Sequence, residues 1–165
     1  MASSISTLNS STTSTPTSNT MKEIKTEIII NAPKEKVWAV LTDFESYPEW
    51  NPFIISIEGE KVVGAKLKNT LMNGDKPNIF TPEITRFDEN QHFEWLGSIP
   101  LKLFTGRHHF ILEDLGNGQT KFIHGEKFGG LLRGIIMSQI GEKTQQSFLK
   151  MNRALKEKVE QNMGL

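Results

Sequence analysis

The chain has 165 residues, enough for one domain whose core needs no covalent staples. It has no cysteine, which excludes disulfides, thiol catalysis and cysteine-ligated zinc or iron–sulfur sites. Lys plus Arg (19) balances Asp plus Glu (19), without the basic excess of a nucleic-acid binder, and no apolar run approaches the roughly 20 residues that span a bilayer.

Residues 1–20, MASSISTLNSSTTSTPTSNT, are mostly Ser, Thr and Asn and carry no charge. Such a stretch buries too little apolar surface to offset its ordering entropy, so we expect a disordered tail ahead of a single domain over 21–162. The alternative is a targeting peptide. Ser-richness and missing acids fit an organellar transit peptide, missing Arg does not, and a secretory apolar core is lacking. We expect a cytoplasmic protein, with organellar targeting by the tail as the other reading.

Lys22 to Pro33 reads as a strand that stops at Asn31-Ala32-Pro33, with Pro33 suited to the first turn of a helix. In KEKVWAVLTDF, Val37, Trp38, Leu41 and Phe44 recur at helical spacing. The connector DFESYPEWNPF then crowds Phe44, Tyr47, Trp50 and Phe53 among Pro48 and Pro52, which push the residues before them out of the helical region. We expect a helix, a break and an extended entry into the next strand.

A run of strands follows. Phe53, Ile55 and Ile57 alternate with Ile54, Ser56 and Glu58. Leu67, Asn69 and Leu71 share a face opposite Lys66, Lys68 and Thr70. Residues 73–78 are turn chemistry. Phe80, Pro82 and Ile84 share the next face. Pro82 removes a ladder hydrogen bond and belongs at an edge or bulge, and Phe87 breaks the parity, which places a bulge nearby. Phe93 and Trp95 mark another strand, and Ser98 to Phe104 an apolar loop.

The last hairpin is the best defined. One face of its first strand holds Phe104, Gly106, His108, Phe110 and Leu112, and the opposite face holds Arg107, His109 and Ile111. A three-residue loop, Gly116-Asn117-Gly118, pairs Leu115 with Gln119. Counting back pairs Leu112 with Phe122, Phe110 with His124 and His108 with Glu126, and Phe128 falls on the same face. After Gly129-Gly130 the chain reads as helix to near Gln161, with Leu132, Ile136, Ile140, Phe148, Met151, Leu155 and Val159 as its apolar stripe. The order gives an α+β layout, a sheet gripping one long helix with a hollow between them.

INAPKEKVWAVLTDFESYPEWNPF resembles the opening of the START-like (SRPBCC) superfamily, in particular its polyketide cyclase/dehydrase-type branch. GRHHFILEDLGNGQTKFIHGEKFGGLL and FLKMNRALKEKVE are similar to its later segment and final helix. The resemblance spans about Lys22 to Gln161. It implies a helix-grip fold: a curved seven-stranded antiparallel sheet around a long C-terminal helix, with two short helices after the first strand. It also implies a hydrophobic small molecule (lipid, isoprenoid, sterol or polyketide-like) bound or carried in the hollow. No catalytic set transfers residue by residue.

We therefore expect a ligand pocket walled by Trp38, Tyr47, Trp50 and Phe53 from the opening segment. The middle strands would add Leu67, Leu71, Phe80, Ile84, Phe93 and Trp95. The last hairpin would add Phe104, His108, Phe110, His124, Glu126 and Phe128, and the final helix Leu132, Ile136 and Ile140. His108, His124 and Glu126 are the polar set: they orient a ligand group, act as a general acid or base, or pair as ordinary sheet neighbours. His108 and His109 point to opposite faces and cannot jointly hold a metal from a regular strand. No metal, cofactor or nucleic acid is expected. Leu101, Leu103, Leu131, Ile135 and Ile136 form a greasy gate, a core patch or a transient membrane or partner contact. The alternatives to a binding protein are a cyclase-, dehydratase- or hydrolase-type enzyme using the same pocket, or a filled domain acting through a partner or membrane.

Overall fold

The computed structural model describes residues 23–73 and 75–164. The Ser/Thr-rich segment lies outside the described residues. Strand β1 (Glu23–Ile30) leads into α1 (Lys34–Leu41). Pro33 caps this helix in an extended conformation (φ −60°, ψ 148°), one residue before its first turn. Its fixed φ starts the helix and its carbonyl takes the first helical hydrogen bonds, from Lys36 and Val37. A short 3₁₀ turn at Phe44–Ser46 and α2 (Tyr47–Trp50) complete the connector.

Strands β2 (Ile54–Glu58), β3 (Lys68–Asn73), β4 (Lys76–Phe80), β5 (Glu83–Asp88), β6 (His92–Ser98), β7 (Thr105–Gly116) and β8 (Gln119–Gly129) follow, then α3 (Arg133–Asn162). The strands form two antiparallel sets, ordered β1-β8-β7-β6-β5 and β2-β3-β4. The Lys66–Glu83 bridge joins the sets, so one curved sheet wraps the long helix. This is the expected helix-grip architecture with one more strand than the seven expected. The extra strand arises at Pro82. Proline cannot donate to the ladder, so the apolar run around it divides into β4 and β5. The parity break before Phe87 is a bulge between Ile84 and Arg86.

The β7–β8 register pairs Leu112 with Phe122, Phe110 with His124 and His108 with Glu126, as the sequence predicts. The loop differs. Gly116, not Leu115, pairs with Gln119, and the turn is the two residues Asn117 (φ 53°) and Gly118 (φ 74°). Two positive φ values suit the twist of a tight hairpin. Leu115 is left as an extra bulged residue, which restores the pairing below it.

Phe148, Met151, Leu155 and Val159 of α3 are buried against the sheet. The N-terminal half of α3 is different. Only Met137 and Gly141 are fully covered there, while Leu132, Ile136 and Ile140 are half-buried. The core is thus continuous at the C-terminal end of α3 and incomplete at its start.

Candidate functional site

The incompletely packed end contains a cavity of about 150 Å³. Strand periodicity puts its walls together, because alternate residues point to the same face. From β6 come Trp95 and Gly97, from the start of β7 Gly106 and His108, and from the end of β8 Glu126 and Phe128. Phe53, Asn69, Leu71, Phe80 and Pro82 close one side, and Ile140, Thr144 and Ser147 of α3 close the other. Phe104 stacks on Phe128 at 5.7 Å and 19° at the rim. Gly97 and Gly106 face each other across β6 and β7. Where neighbouring positions carry phenylalanine or tryptophan, this pair leaves a hollow. A Cβ at Gly106 would lie 2.1 Å from Glu126 Oε1, so the carboxyl occupies the space a side chain would need.

A buried polar chain reaches this wall. The Thr26 hydroxyl donates to the His124 carbonyl (3.1 Å), so its lone pairs accept from Asn152 Nδ2 (2.9 Å). That fixes the orientation of the Asn152 amide, and its Oδ1 faces His124 Nδ1 at 2.9 Å. Oδ1 can only accept, so His124 carries its proton on Nδ1. His124 Nε2 is then an acceptor, and His108 Nε2, 2.8 Å away, is the donor. Burial pushes the His108 pKa down to about 3 and that of His124 well below its ordinary value, so both rings are neutral. A neutral His108 protonated at Nε2 presents a bare Nδ1 lone pair on the cavity side.

That lone pair lies 3.5 Å from Glu126 Oε2. Burial raises the Glu126 pKa to about 7, against a smaller opposing effect of His109. The side chain is 19% exposed, as its place on the cavity wall requires. In its acid form Glu126 has a proton that can point at His108 Nδ1, which relieves the lone-pair repulsion a carboxylate would meet there. The rings hold this geometry: His108 stacks on Trp95 (4.8 Å, 18°) and His124 on Phe148 (3.9 Å, 14°). Opposite, Asn69 is 1% exposed and its Oδ1 has no hydrogen-bond partner. A buried acceptor left unpaired costs about 1–3 kcal/mol unless something satisfies it.

The cavity wall includes Phe53, Leu71, Phe80, Trp95, Phe104, His108, Glu126, Phe128 and Ile140 from the residues the sequence singles out. Others named with them lie elsewhere. Trp38, Tyr47, Leu67, Ile84, Phe93 and Phe110 are packed core. Trp50 packs against that core and donates to Ser46 Oγ (3.2 Å). Tyr47 donates to the Leu41 carbonyl at 2.6 Å, and burial raises its pKa further. The aromatic connector therefore closes the core rather than the cavity, and of its rings only Phe53 reaches the wall. His124 stands one position behind His108, and Leu132 and Ile136 do not reach the cavity.

Asn69, Pro82, Gly97, Gly106, Thr144 and Ser147 are wall residues not proposed from the sequence. Signals for them existed. Asn69 is a polar residue between Leu67 and Leu71 on an apolar face, and Gly106 is a gap in the Phe-rich face. Thr144 and Ser147 continue the Ile140 stripe at helical spacing. His92 and His109 lie outside the cavity, each 3.8 Å from a carboxylate, Glu94 and Glu23 respectively. Among the described residues no group of His, Asp or Glu is arranged to hold a metal, and no helix is long and apolar enough to cross a membrane.

A family model described as polyketide cyclase/dehydrase and lipid transport matches residues 21–160. The chain belongs to this family. Its fold is that of the START-like superfamily. An aromatase/cyclase from Streptomyces sp. R1128 superposes with TM-score 0.67 at 14% identity, covering 86% of this chain and 94% of that one. A START superfamily protein from Mycobacterium smegmatis gives TM-score 0.63 at 18% identity, over 84% of this chain and 97% of that one. A Thalictrum norcoclaurine synthase, solved with a transition-state analogue, gives 0.66 at 14% identity, over 86% and 96%. At these identities the likeness is one of fold. No curated protein matches the sequence.

Proposed function

We propose that this family member binds a hydrophobic small molecule in the cavity between the sheet and α3, and that Asn69, His108 and Glu126 orient one polar group of it. The observation that carries this reading is a mostly apolar hollow lined by two polar groups, the unpaired Asn69 Oδ1 and the Glu126 carboxyl beside His108 Nδ1. Apolar walls with a few convergent polar groups are the usual make-up of a ligand site. Asn69 Oδ1 and His108 Nδ1 are acceptors, so the ligand group is a hydrogen-bond donor, such as a hydroxyl, that can also accept from the Glu126 acid.

A cavity of about 150 Å³ encloses roughly one six-membered ring. A larger ligand extends past Phe80, which is half-exposed at the mouth, or parts β4 from α3. The family's description supports a lipid or polyketide-like ligand.

The test is titration of the protein with phenol and toluene, followed by amide chemical shifts. Both rings fit; only phenol offers a donor. The expected result is shifts at Trp95, Gly106 and Phe128 with both, and tighter binding of phenol. Asn69→Leu is expected to remove phenol's advantage while toluene still binds. Absence of shifts with either compound would sink the reading.

One observation favours a second reading. Glu126 beside a His108 lone pair is a proton donor and acceptor pair facing a mostly apolar cavity, which suits acid–base catalysis of cyclisation or dehydration. An enzyme would lose far more turnover than ligand affinity in His108→Gln; a binding protein would show no turnover to lose.

A further inference from the structure

The turn between β6 and β7 and the turn between β8 and α3 abut. A Cβ added at Gly130 would lie 2.4 Å from the Leu103 carbonyl oxygen and 2.8 Å from that of Lys102, and the Leu132 N–H donates to Leu103 O at 2.9 Å. Leu101 and Leu131 project from these two turns, each 89% exposed, with Ile135 on the first turn of α3 at 63%. A single exposed leucine needs no explanation, but a cluster on two touching turns is a patch. The backbone is strained to make it. Leu101 (φ 59°) and Lys102 (φ 52°) both occupy the left-handed region, which disfavours any residue with a Cβ.

Beside these tips, on the outer face of the sheet, runs a groove of about 310 Å³ lined by Lys102, Arg107 and Lys127 with Ser98 and Thr105, and by no carboxylate. Arg107 is engaged by Glu94 at 2.8 Å. Lys102 and Lys127 have no ion-pair partner among the described residues, and Glu23, opposite Lys127 in register, lies near His109 instead.

We infer that this leucine-tipped, lysine-flanked corner docks onto an anionic lipid bilayer. Apolar side chains on protruding turns enter the acyl boundary, while the ammonium groups set back from them meet lipid phosphates. The partner is anionic because the groove beside the tips is lined by Lys102, Arg107 and Lys127 and by no carboxylate. Protruding tips, rather than a concave or flat apolar face, suit a deformable interface. The stacked Phe104 and Phe128 at the cavity rim adjoin the same turns, so docking would bring that rim to the acyl boundary.

The test is sedimentation of the full chain with vesicles of phosphatidylcholine alone and of phosphatidylcholine with phosphatidylserine, at low and high salt. It uses no cavity ligand, so it stands or falls apart from the reading of the cavity. The expected result is binding to the phosphatidylserine vesicles that weakens with salt. The double variant Leu101→Asn and Leu131→Asn is expected to bind about a hundredfold more weakly. Asn adopts positive φ more readily than Leu, so the variant stays folded, which thermal melting verifies. Lys102→Gln with Lys127→Gln is expected to cost about tenfold or more and to flatten the salt dependence. Failure to bind the anionic vesicles, or binding indifferent to the leucine variant, would overturn the inference. So would a concentration-dependent dimer abolished by that variant, which would give the corner to a second copy of the chain.

Discussion

Glu126 is held where ionisation costs more than it does in water. Its pKa rises from 4.5 to about 7 on burial, so the folded state binds this proton more tightly than the unfolded state does. The stabilisation is fully present below pH 4.5 and is lost as pH rises through about 7. The rise corresponds to about 3 kcal/mol, reduced to about 2 because the side chain is partly exposed to the cavity. Glu126→Gln cannot ionise and keeps a donor for His108 Nδ1. Its stability relative to wild type is therefore expected to grow from pH 5 to pH 8, by about 2 kcal/mol, in paired thermal melts. A difference independent of pH would show that Glu126 is not buried as an acid. His108 and His124 act oppositely. Their lowered pKa values mean that acid favours the unfolded chain, in which both rings bind protons more readily. Gly106 is the companion residue. In Gly106→Ala the new methyl meets the mobile end of Glu126, so folding is expected to lose under about 1 kcal/mol while the carboxyl is displaced and phenol binding falls. The pairing of His108 with Glu126 was legible because a hairpin register places residues by counting. Asn69 was visible only as an anomaly, since an unpaired amide has meaning once the atoms around it are known.

At the scale of elements, the chain from Thr26 through Asn152 and His124 to His108 ties β1, α3, β8 and β7 into one polar unit inside an apolar core. Its hydrogen bonds can run in one direction only, and each tautomer follows from the Thr26 hydroxyl. Nitrogen-15 chemical shifts of the imidazoles are expected to show His124 protonated at Nδ1 and His108 at Nε2. Asn152→Ala leaves the Thr26 oxygen and His124 Nδ1 unpaired in a dry site and is expected to cost about 2–4 kcal/mol. It would also release the His124 tautomer, seen as exchange broadening of both rings. None of this chain could be read from sequence, because Asn152 sits on α3 among charged residues and its partner on β1 is 126 residues away. The strands were legible from period two and the hairpin from its turn residues. Tight turns were less so: the Asn117-Gly118 turn and the Leu115 bulge differ from a three-residue loop by a shift that leaves every deeper pair unchanged.

Across the whole molecule, packing is graded along α3. Its C-terminal half is locked by Phe148, Met151, Leu155 and Val159, and its N-terminal half, with Gly134 and Gly141, covers the cavity loosely. The aromatic connector belongs to the locked end, where Phe44 stacks on Phe93 at 5.8 Å. The sequence drew attention to that connector as a cavity wall because dense aromatic residues look alike in a core and in a pocket; only exposure and neighbours separate the two. The proposed binding site falls at the loose end, which holds the unpaired Asn69, the Glu126 acid and, just outside, the leucine-tipped corner. The most direct test of the central claim is native mass spectrometry of the protein purified from its own host, followed by organic extraction, with Ile140→Trp alongside to fill the cavity. The expected result is a stoichiometric apolar adduct on the wild type that Ile140→Trp lacks. An adduct unaffected by Ile140→Trp, or a bare chain mass together with no response to phenol or toluene, would contradict the account.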